Sequence, residues 1–163
     1  MDAVEIERKF LPVELPDLGK YTKKRIEQGY LCTDPVVRIR RSDDEYYMTY
    51  KGKGLLVKEE YNLPLNEVAY THMKPKCDGN IIEKDRYLIP LDKDDLVVEL
   101  DVFDGVMKGL VMAEVEFTSE EQAREFRPPE WLGEDVTGDR RYYNSNMISA
   151  DPETIRELTQ RKI

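Results

Sequence analysis

The chain has 163 residues, 36% charged and 40% hydrophobic, with a net charge of −9. That length holds one domain, residues 1–163, with a full-sized core. The acidic balance excludes broad binding to extended nucleic acid, which rests on basic surface, and no apolar run approaches the ~20 residues of a membrane span.

In chain order, strand-like runs fall at residues 3–10, 25–32, 35–41, 45–51, 55–63, 80–89, 95–103, 110–117 and 138–143. Asp43-Asp44 and Gly52-Lys53-Gly54 separate consecutive runs as hairpin connections, so the pairing is antiparallel. Asn66 caps a helix to about Lys74, which Pro75 stops. Thr118 and Glu121 stand at capping-box spacing and open a helix to about Phe126. Asp151 with Pro152 starts a terminal helix. The expected fold is predominantly β (α+β), with eight or nine strands forming a barrel or sandwich and three peripheral helices.

The N-terminus, Met-Asp-Ala-Val-Glu-Ile-Glu, lacks the basic start and apolar centre of a signal peptide. Cys32 and Cys77 form no CxxC and read as reduced thiols, so the expected compartment is the cytoplasm. His72 is the one histidine, it has no G-x-S-x-G partner motif, and it reads as an exposed helical residue.

Charges recur at every second position of the strands. Glu5, Glu7 and Lys9 alternate, as do Arg38 and Arg40, Lys84 and Arg86, Glu99 and Asp101, and Glu114 and Glu116. Successive strand side chains point to opposite faces, so each set shares one face. An ordinary sandwich would turn these faces to water. Two features of the whole set argue otherwise. The signs are sorted by strand, whereas soluble surfaces intersperse them. Like charges two residues apart also repel, and a free surface does not need them there. An inward-facing set would also include Glu60, Lys51 and Lys58. So many carboxylates in one cavity require compensating positive charge. The basic residues supply part of it, and hard divalent cations, Mg2+ or Mn2+, suit carboxylate oxygens without His or Cys. The remaining Arg and Lys then match the oxygens of a phosphate chain.

At these residues the chain resembles a known family. Glu5-Ile6-Glu7-Arg8-Lys9 is similar to the ExExK signature of the CYTH superfamily, the triphosphate tunnel metalloenzymes. Further similar blocks follow in order: Gln28-Gly29-Tyr30-Leu31, Val37-Arg38-Ile39-Arg40, Tyr47 through Gly52, Glu83 through Tyr87, Glu99 through Phe103, and Ala113 through Phe117. The tail resembles the family too, from Pro129 through Asp135-Val136-Thr137 to Arg141-Tyr142-Tyr143-Asn144, so the likeness spans about residues 3–147.

The resemblance implies a closed eight-stranded antiparallel β-tunnel and metal-dependent chemistry on a small-molecule triphosphate. Compact bacterial-type members resemble hydrolases of inorganic tripolyphosphate or nucleoside triphosphates, with water attacking a terminal phosphoryl group. The family also holds class IV adenylyl cyclases, so cyclic AMP formation is an alternative, and a noncatalytic polyphosphate-binding module is another. By resemblance, Glu5, Glu7, Glu60, Asp101, Glu114 and Glu116 are metal ligands, with Glu99 as a further ligand or water orienter. Arg38, Arg40, Lys51, Lys84 and Arg86 grip phosphate, Lys9 stands beside the scissile bond, and Tyr30 adjusts Lys9. Lys53 reads as a turn residue, and Tyr142 and Tyr143 as packing residues. The sequence departs from the family pattern in two places. Lys58, Glu60 and Asn62 stand where three alternating Glu are common, and Leu96-Val97 replaces a Trp. Whether the protein forms a homodimer is left open.

Overall fold

A computed structural model describes residues 4–163. Its strands are β1 (Val4–Leu11), β2 (Thr22–Thr33), β3 (Val36–Ser42), β4 (Glu45–Lys51), β5 (Val57–Leu65), β6 (Asp78–Pro90), β7 (Val97–Asp104) and β8 (Val111–Glu116). Neighbours run β5-β4-β3-β2-β6-β7-β8-β1. The ring closes where β1 returns to β5 through Val4–Glu59, Glu5–Lys58 and Ile6–Val57. A two-residue strand, β9 (Glu134–Asp135), pairs with Phe10 and Leu11 of β1. Closure removes most of the unpaired edges that an open sheet would expose.

Local chemistry sets the connections. Asp43 adopts φ 51° in the β3–β4 turn, a left-handed conformation that Asp tolerates. Its carboxylate accepts from the Arg25 amide at 2.9 Å. The expected helices form as α1 (Glu67–Met73), α2 (Glu120–Glu125) and α4 (Pro152–Thr159), and His72 lies exposed on α1. Asn66 caps α1 by accepting from the Ala69 amide at 2.7 Å, and Asp151 caps α4 by accepting from Thr154 at 2.7 Å. The α2 cap is one residue later than the expected Thr118. Ser119 accepts from the Gln122 amide, while the Gln122 side chain turns back to accept from the Thr118 amide. Among the described residues, no helix is long and apolar enough to cross a membrane.

The expected strand at 138–143 is not one. Arg140–Tyr142 forms a single 3-10 turn, followed by a short helix, α3 (Asn144–Met147). Asp139 caps that turn by accepting from the Arg141 amide at 3.1 Å, and its carboxylate also binds the Arg141 guanidinium. This local bonding competes with a strand ladder, and the alternating Asp139 and Arg141 mimic a strand's period. The first residue of the expected 3–10 strand lies outside the described residues.

Two apolar clusters flank the barrel. One lies on its outer wall, where Phe10, Val98, Leu100, Val115 and Phe117 pack with Ala123 of α2 and with Leu132. The other joins Tyr30, Ile82, Phe103 and Met112 to the tail residues Tyr142, Met147, Ile148 and Leu158. The tail therefore plugs one end of the barrel.

Candidate active site

Strand register decides which charges meet. Lys9 pairs with Glu114 and Glu7 with Glu116 across β1 and β8. Glu114 in turn pairs with Glu99 on β7. Glu5 pairs with Lys58, Lys51 with Glu60, Tyr30 with Arg38, and Arg86 with Asp101. A one-residue slip would turn each set to the other face. In this register the barrel encloses a cavity of about 930 Å³, lined by Glu5, Glu7, Lys9, Tyr30, Arg38, Arg40, Lys51, Lys58, Glu60, Lys84, Arg86, Glu99, Glu114 and Glu116. All the charges that alternation placed on one face are thus brought together, apart from Asp101.

Asp101 is fully buried beneath the cavity floor. It accepts from Lys84 Nζ at 2.7 Å, from Arg86 Nε at 2.7 Å and from Arg86 Nη2 at 2.8 Å. Both oxygens of Asp101, which the resemblance implied as a metal ligand, are thus bonded to cations of the protein. Burial opposes its charge, but Arg86 and Lys84 outweigh burial and lower its pKa. Burial also pushes Lys84 down to about 7, against the pull of Asp101. Arg86 pairs further with Glu99, and with Glu114 at 3.6 Å.

Arg38 and Arg40 have different company. Arg38 Nη2 donates to Thr49 at 3.2 Å, while its Nε is buried without a partner. Arg40 donates to Gln28 at 2.8 Å and to the Tyr47 hydroxyl at 3.3 Å. Burial, and then the neighbouring Arg40, lowers the Arg38 pKa. Among the described residues, neither guanidinium has a carboxylate within ion-pair distance, an arrangement that invites an anion.

The acidic wall carries its own cations. Lys51 Nζ lies 2.9 Å from Glu5 and 3.7 Å from Glu60. Lys9 lies 3.7 Å from Glu114 and 4.0 Å from Glu7, and Lys58 lies 3.7 Å from Glu7. Burial opposes the Lys9 ammonium, but Glu114 and Glu7 hold its pKa above the ordinary value. Burial and the nearby Glu114 raise Glu7 to about 8. Burial works the same way on Glu5, yet a hydrogen bond from Glu7 and the Lys51 ammonium bring it to about 2. Of these two neighbouring carboxyls, Glu7 is thus pushed toward its neutral form and Glu5 toward its charged form. Glu116 sits exposed at the rim, and burial of its carboxyl together with Glu5 raises its pKa.

Among the described residues, no three metal-binding side chains converge into a ready cage. The wall nevertheless offers only hard oxygens. The raised Glu7 pKa, from burial and the nearby Glu114, marks a place short of positive charge. So does Glu5 Oε2, which is buried without a hydrogen bond although Lys51 stands at ion-pair distance. These residues fit a divalent ion that takes the rest of its coordination from substrate and water, as Mg2+ does.

Some site residues escaped the sequence reading. Asn144 accepts from both Gln28 and Lys84 at 3.1 Å, tying the tail to the cations. Gln28 also donates to the Tyr30 hydroxyl at 3.1 Å, and Tyr30 is among the groups that raise the Lys9 pKa. The one available signal was the polar Gln28 in the inward row with Ile26 and Tyr30. Tyr142 packs in the core as expected, but Tyr143 lines the cavity, with Lys9 and Lys58 each 4.9 Å from its ring centre. Lys53 is exposed in its turn, beside Asp34 at 3.4 Å.

Comparison with known proteins converges on one family. The CYTH domain model matches residues 3–149. An inorganic triphosphatase of Nitrosomonas europaea is 41% identical over 91% of this chain and 99% of its own length. One from Acetivibrio thermocellus is 36% identical over 88% of this chain and 92% of its own. The crystal structure of the inorganic triphosphatase NE1496 superposes with a TM-score of 0.68, at 40% identity, covering 91% of this chain and 96% of that one. With barrel, inward charges and tail all included in the match, the chain belongs to the CYTH family.

Proposed function

We propose that the protein is a triphosphatase that hydrolyses the terminal phosphoanhydride bond of inorganic tripolyphosphate inside its barrel, with Mg2+ or Mn2+ as the metal. The observation that carries this reading is the buried pair Arg38 and Arg40, which face the acidic wall without carboxylates of their own. A polyanion satisfies the guanidiniums, and a cation satisfies the carboxylates. The curated relatives at 41% and 36% identity are inorganic triphosphatases, which supports this substrate class.

Phosphoryl transfer needs positioning and charge neutralisation more than covalent chemistry. Arg38, Arg40 and Lys51 grip the phosphate chain, and Lys84 and Arg86 form the floor beneath it. Lys9 neutralises charge that develops at the scissile bond. Water attacks the terminal phosphorus, the P–O bond to the bridging oxygen breaks, and orthophosphate and pyrophosphate leave. Glu5, Glu7, Glu60, Glu114 and Glu116 would hold the divalent ion, which supplies charge neutralisation of phosphate oxygens and eases deprotonation of the attacking water. Glu99 orients that water, Asp101 fixes Lys84 and Arg86, and Tyr30 holds Gln28 against Arg40. A cytoplasmic setting keeps Cys32 and Cys77 as the free thiols found here.

The test compares initial rates on tripolyphosphate, ATP, GTP and thiamine triphosphate with Mg2+ or Mn2+, assaying orthophosphate and cyclic AMP. Tripolyphosphate should turn over fastest, giving equal amounts of orthophosphate and pyrophosphate. Cyclic AMP from ATP, or binding without turnover under either metal, would overturn the reading.

A further inference from the structure

We propose that Gln28 is a positioning residue whose amide, oriented by Asn144 and Tyr30, aims the Arg40 guanidinium into the cavity before any ligand arrives. This rests on the triphosphate reading above, in which Arg40 grips the phosphate chain.

Gln28 lies on β2, paired with Arg40 of β3 on one side and with Ile82 of β6 on the other, and it is fully buried. Its Oε1 accepts from Arg40 Nε at 2.8 Å. Its Nε2 donates to Asn144 Oδ1 and to the Tyr30 hydroxyl, each at 3.1 Å. Reversing the amide would set nitrogen against Arg40 Nε, donor against donor, and oxygen against Asn144 Oδ1, acceptor against acceptor. Asn144 is held in turn. Its Oδ1 also accepts from Lys84 Nζ at 3.1 Å, and Lys84 is anchored on Asp101 at 2.7 Å. The bonds therefore run without a break from Asp101 on β7, through Lys84, Asn144 and Gln28, to Arg40. A cation at each end leaves one orientation for the two amides between them.

The consequence for Arg40 is geometric. Its Nε is committed to Gln28 and its Nη1 to the Tyr47 hydroxyl at 3.3 Å, which fixes the plane of the guanidinium. Among the described residues Nη2 makes no hydrogen bond, so that end of the fork is left for a ligand in the cavity Arg40 lines. Arg38 lacks such a brace, since its Nε is buried without a partner. A loose arginine gives up side-chain freedom when it grips an anion. At Arg40 that ordering is completed on folding, so the phosphate meets a donor already in place. Burial keeps water from competing for the bond that does this.

The first measurement follows Arg40 Nε–H by NMR relaxation in the protein without ligand or metal, the resonance being assigned by its loss in Arg40→Lys. Its order parameter should be about 0.85, as for rigid backbone, and should fall below about 0.6 in Gln28→Met. A mobile Arg40 in the parent, or an equally rigid one in folded Gln28→Met, would overturn the proposal. The second measurement is steady-state hydrolysis of tripolyphosphate with Mg2+. Gln28→Met, close to Gln in shape but without its polar atoms, should lose about tenfold to 100-fold in kcat/KM, the scale of one hydrogen bond to a charged group. The loss should fall on kcat more than on KM, because Arg40 keeps its charge and still attracts the anion. In an Arg40→Ala background the same substitution should cost less than about threefold, since Gln28 acts through Arg40. A change below about threefold in the parent, a loss confined to KM, or an undiminished loss beside Arg40→Ala would each reject the role. If Gln28→Met does not fold, relaxation in the parent decides. Lack of turnover by the parent would remove the triphosphatase reading, while the relaxation measurement would still judge Gln28.

Discussion

Two basic pairs with the same spacing in sequence live in different surroundings. Lys84 and Arg86 on β6 close around Asp101, whose oxygens they saturate. Arg38 and Arg40 on β3 hang on Thr49, Gln28 and Tyr47, all neutral. The first pair is balanced within the protein, and the second has its charge available for a ligand. Alternation in a strand therefore says which residues share a face, but the facing strand says which of them are available for chemistry.

The sharpest way to break this contrast is to remove Asp101. Asp101→Ala leaves Lys84 and Arg86 uncompensated in the interior, and loss of one partner of a buried ion pair costs about 3–5 kcal/mol. Urea unfolding measures it, and a loss below about 1 kcal/mol, the range of a surface pair, would show that the floor is not held by this carboxylate. Arg38→Ala should do the reverse. Its effect belongs to kcat/KM, about 100-fold or more, as for loss of one preorganised donor, with Tm near that of the parent. Steady-state kinetics on tripolyphosphate would sink the distinction if the rate moved less than about threefold, a factor that corresponds to well under 1 kcal/mol.

The smallest expected effect is a slope with pH. The folded pKa of Lys84, about 7, lies below the ordinary 10.5. The unfolded chain therefore binds more protons between those values, and the Lys84 contribution to stability rises with pH across that window. Subtracting the stability of Lys84→Met from that of the metal-free parent between pH 7 and 10 isolates it. The difference should grow toward alkaline pH, and a flat or falling difference would place a full ammonium on Lys84 throughout. The guanidiniums of β3 should show no such trend in this window.

Much of the barrel was legible because its residues obey a period of two. The runs around Glu5-Glu7-Lys9, Arg38-Arg40 and Glu114-Glu116 became β1, β3 and β8. The inward direction of those charges was less legible, since alternation separates two faces without saying which one meets water. Sorting of sign and the resemblance to a family supplied that step. The bonding of Asp101 to Lys84 and Arg86 was not legible, because it depends on the β6–β7 register, which places Arg86 opposite it. Tyr143 and Asn144 were missed for another reason. Their segment leaves the sheet through a turn capped by Asp139, so a strand reading could not aim them into the cavity. Lys58 was visible as a departure from the common pattern, but its company, Glu7 and Tyr143, comes from strands and tail far apart in the chain.

The packing of the tail has a consequence for the cavity. Met147 and Ile148 anchor in the core the same short segment whose Tyr143 and Asn144 reach the lysines, so a substitution that loosens this anchor would disturb the ring beside Lys9 and Lys58 and the amide that holds Lys84.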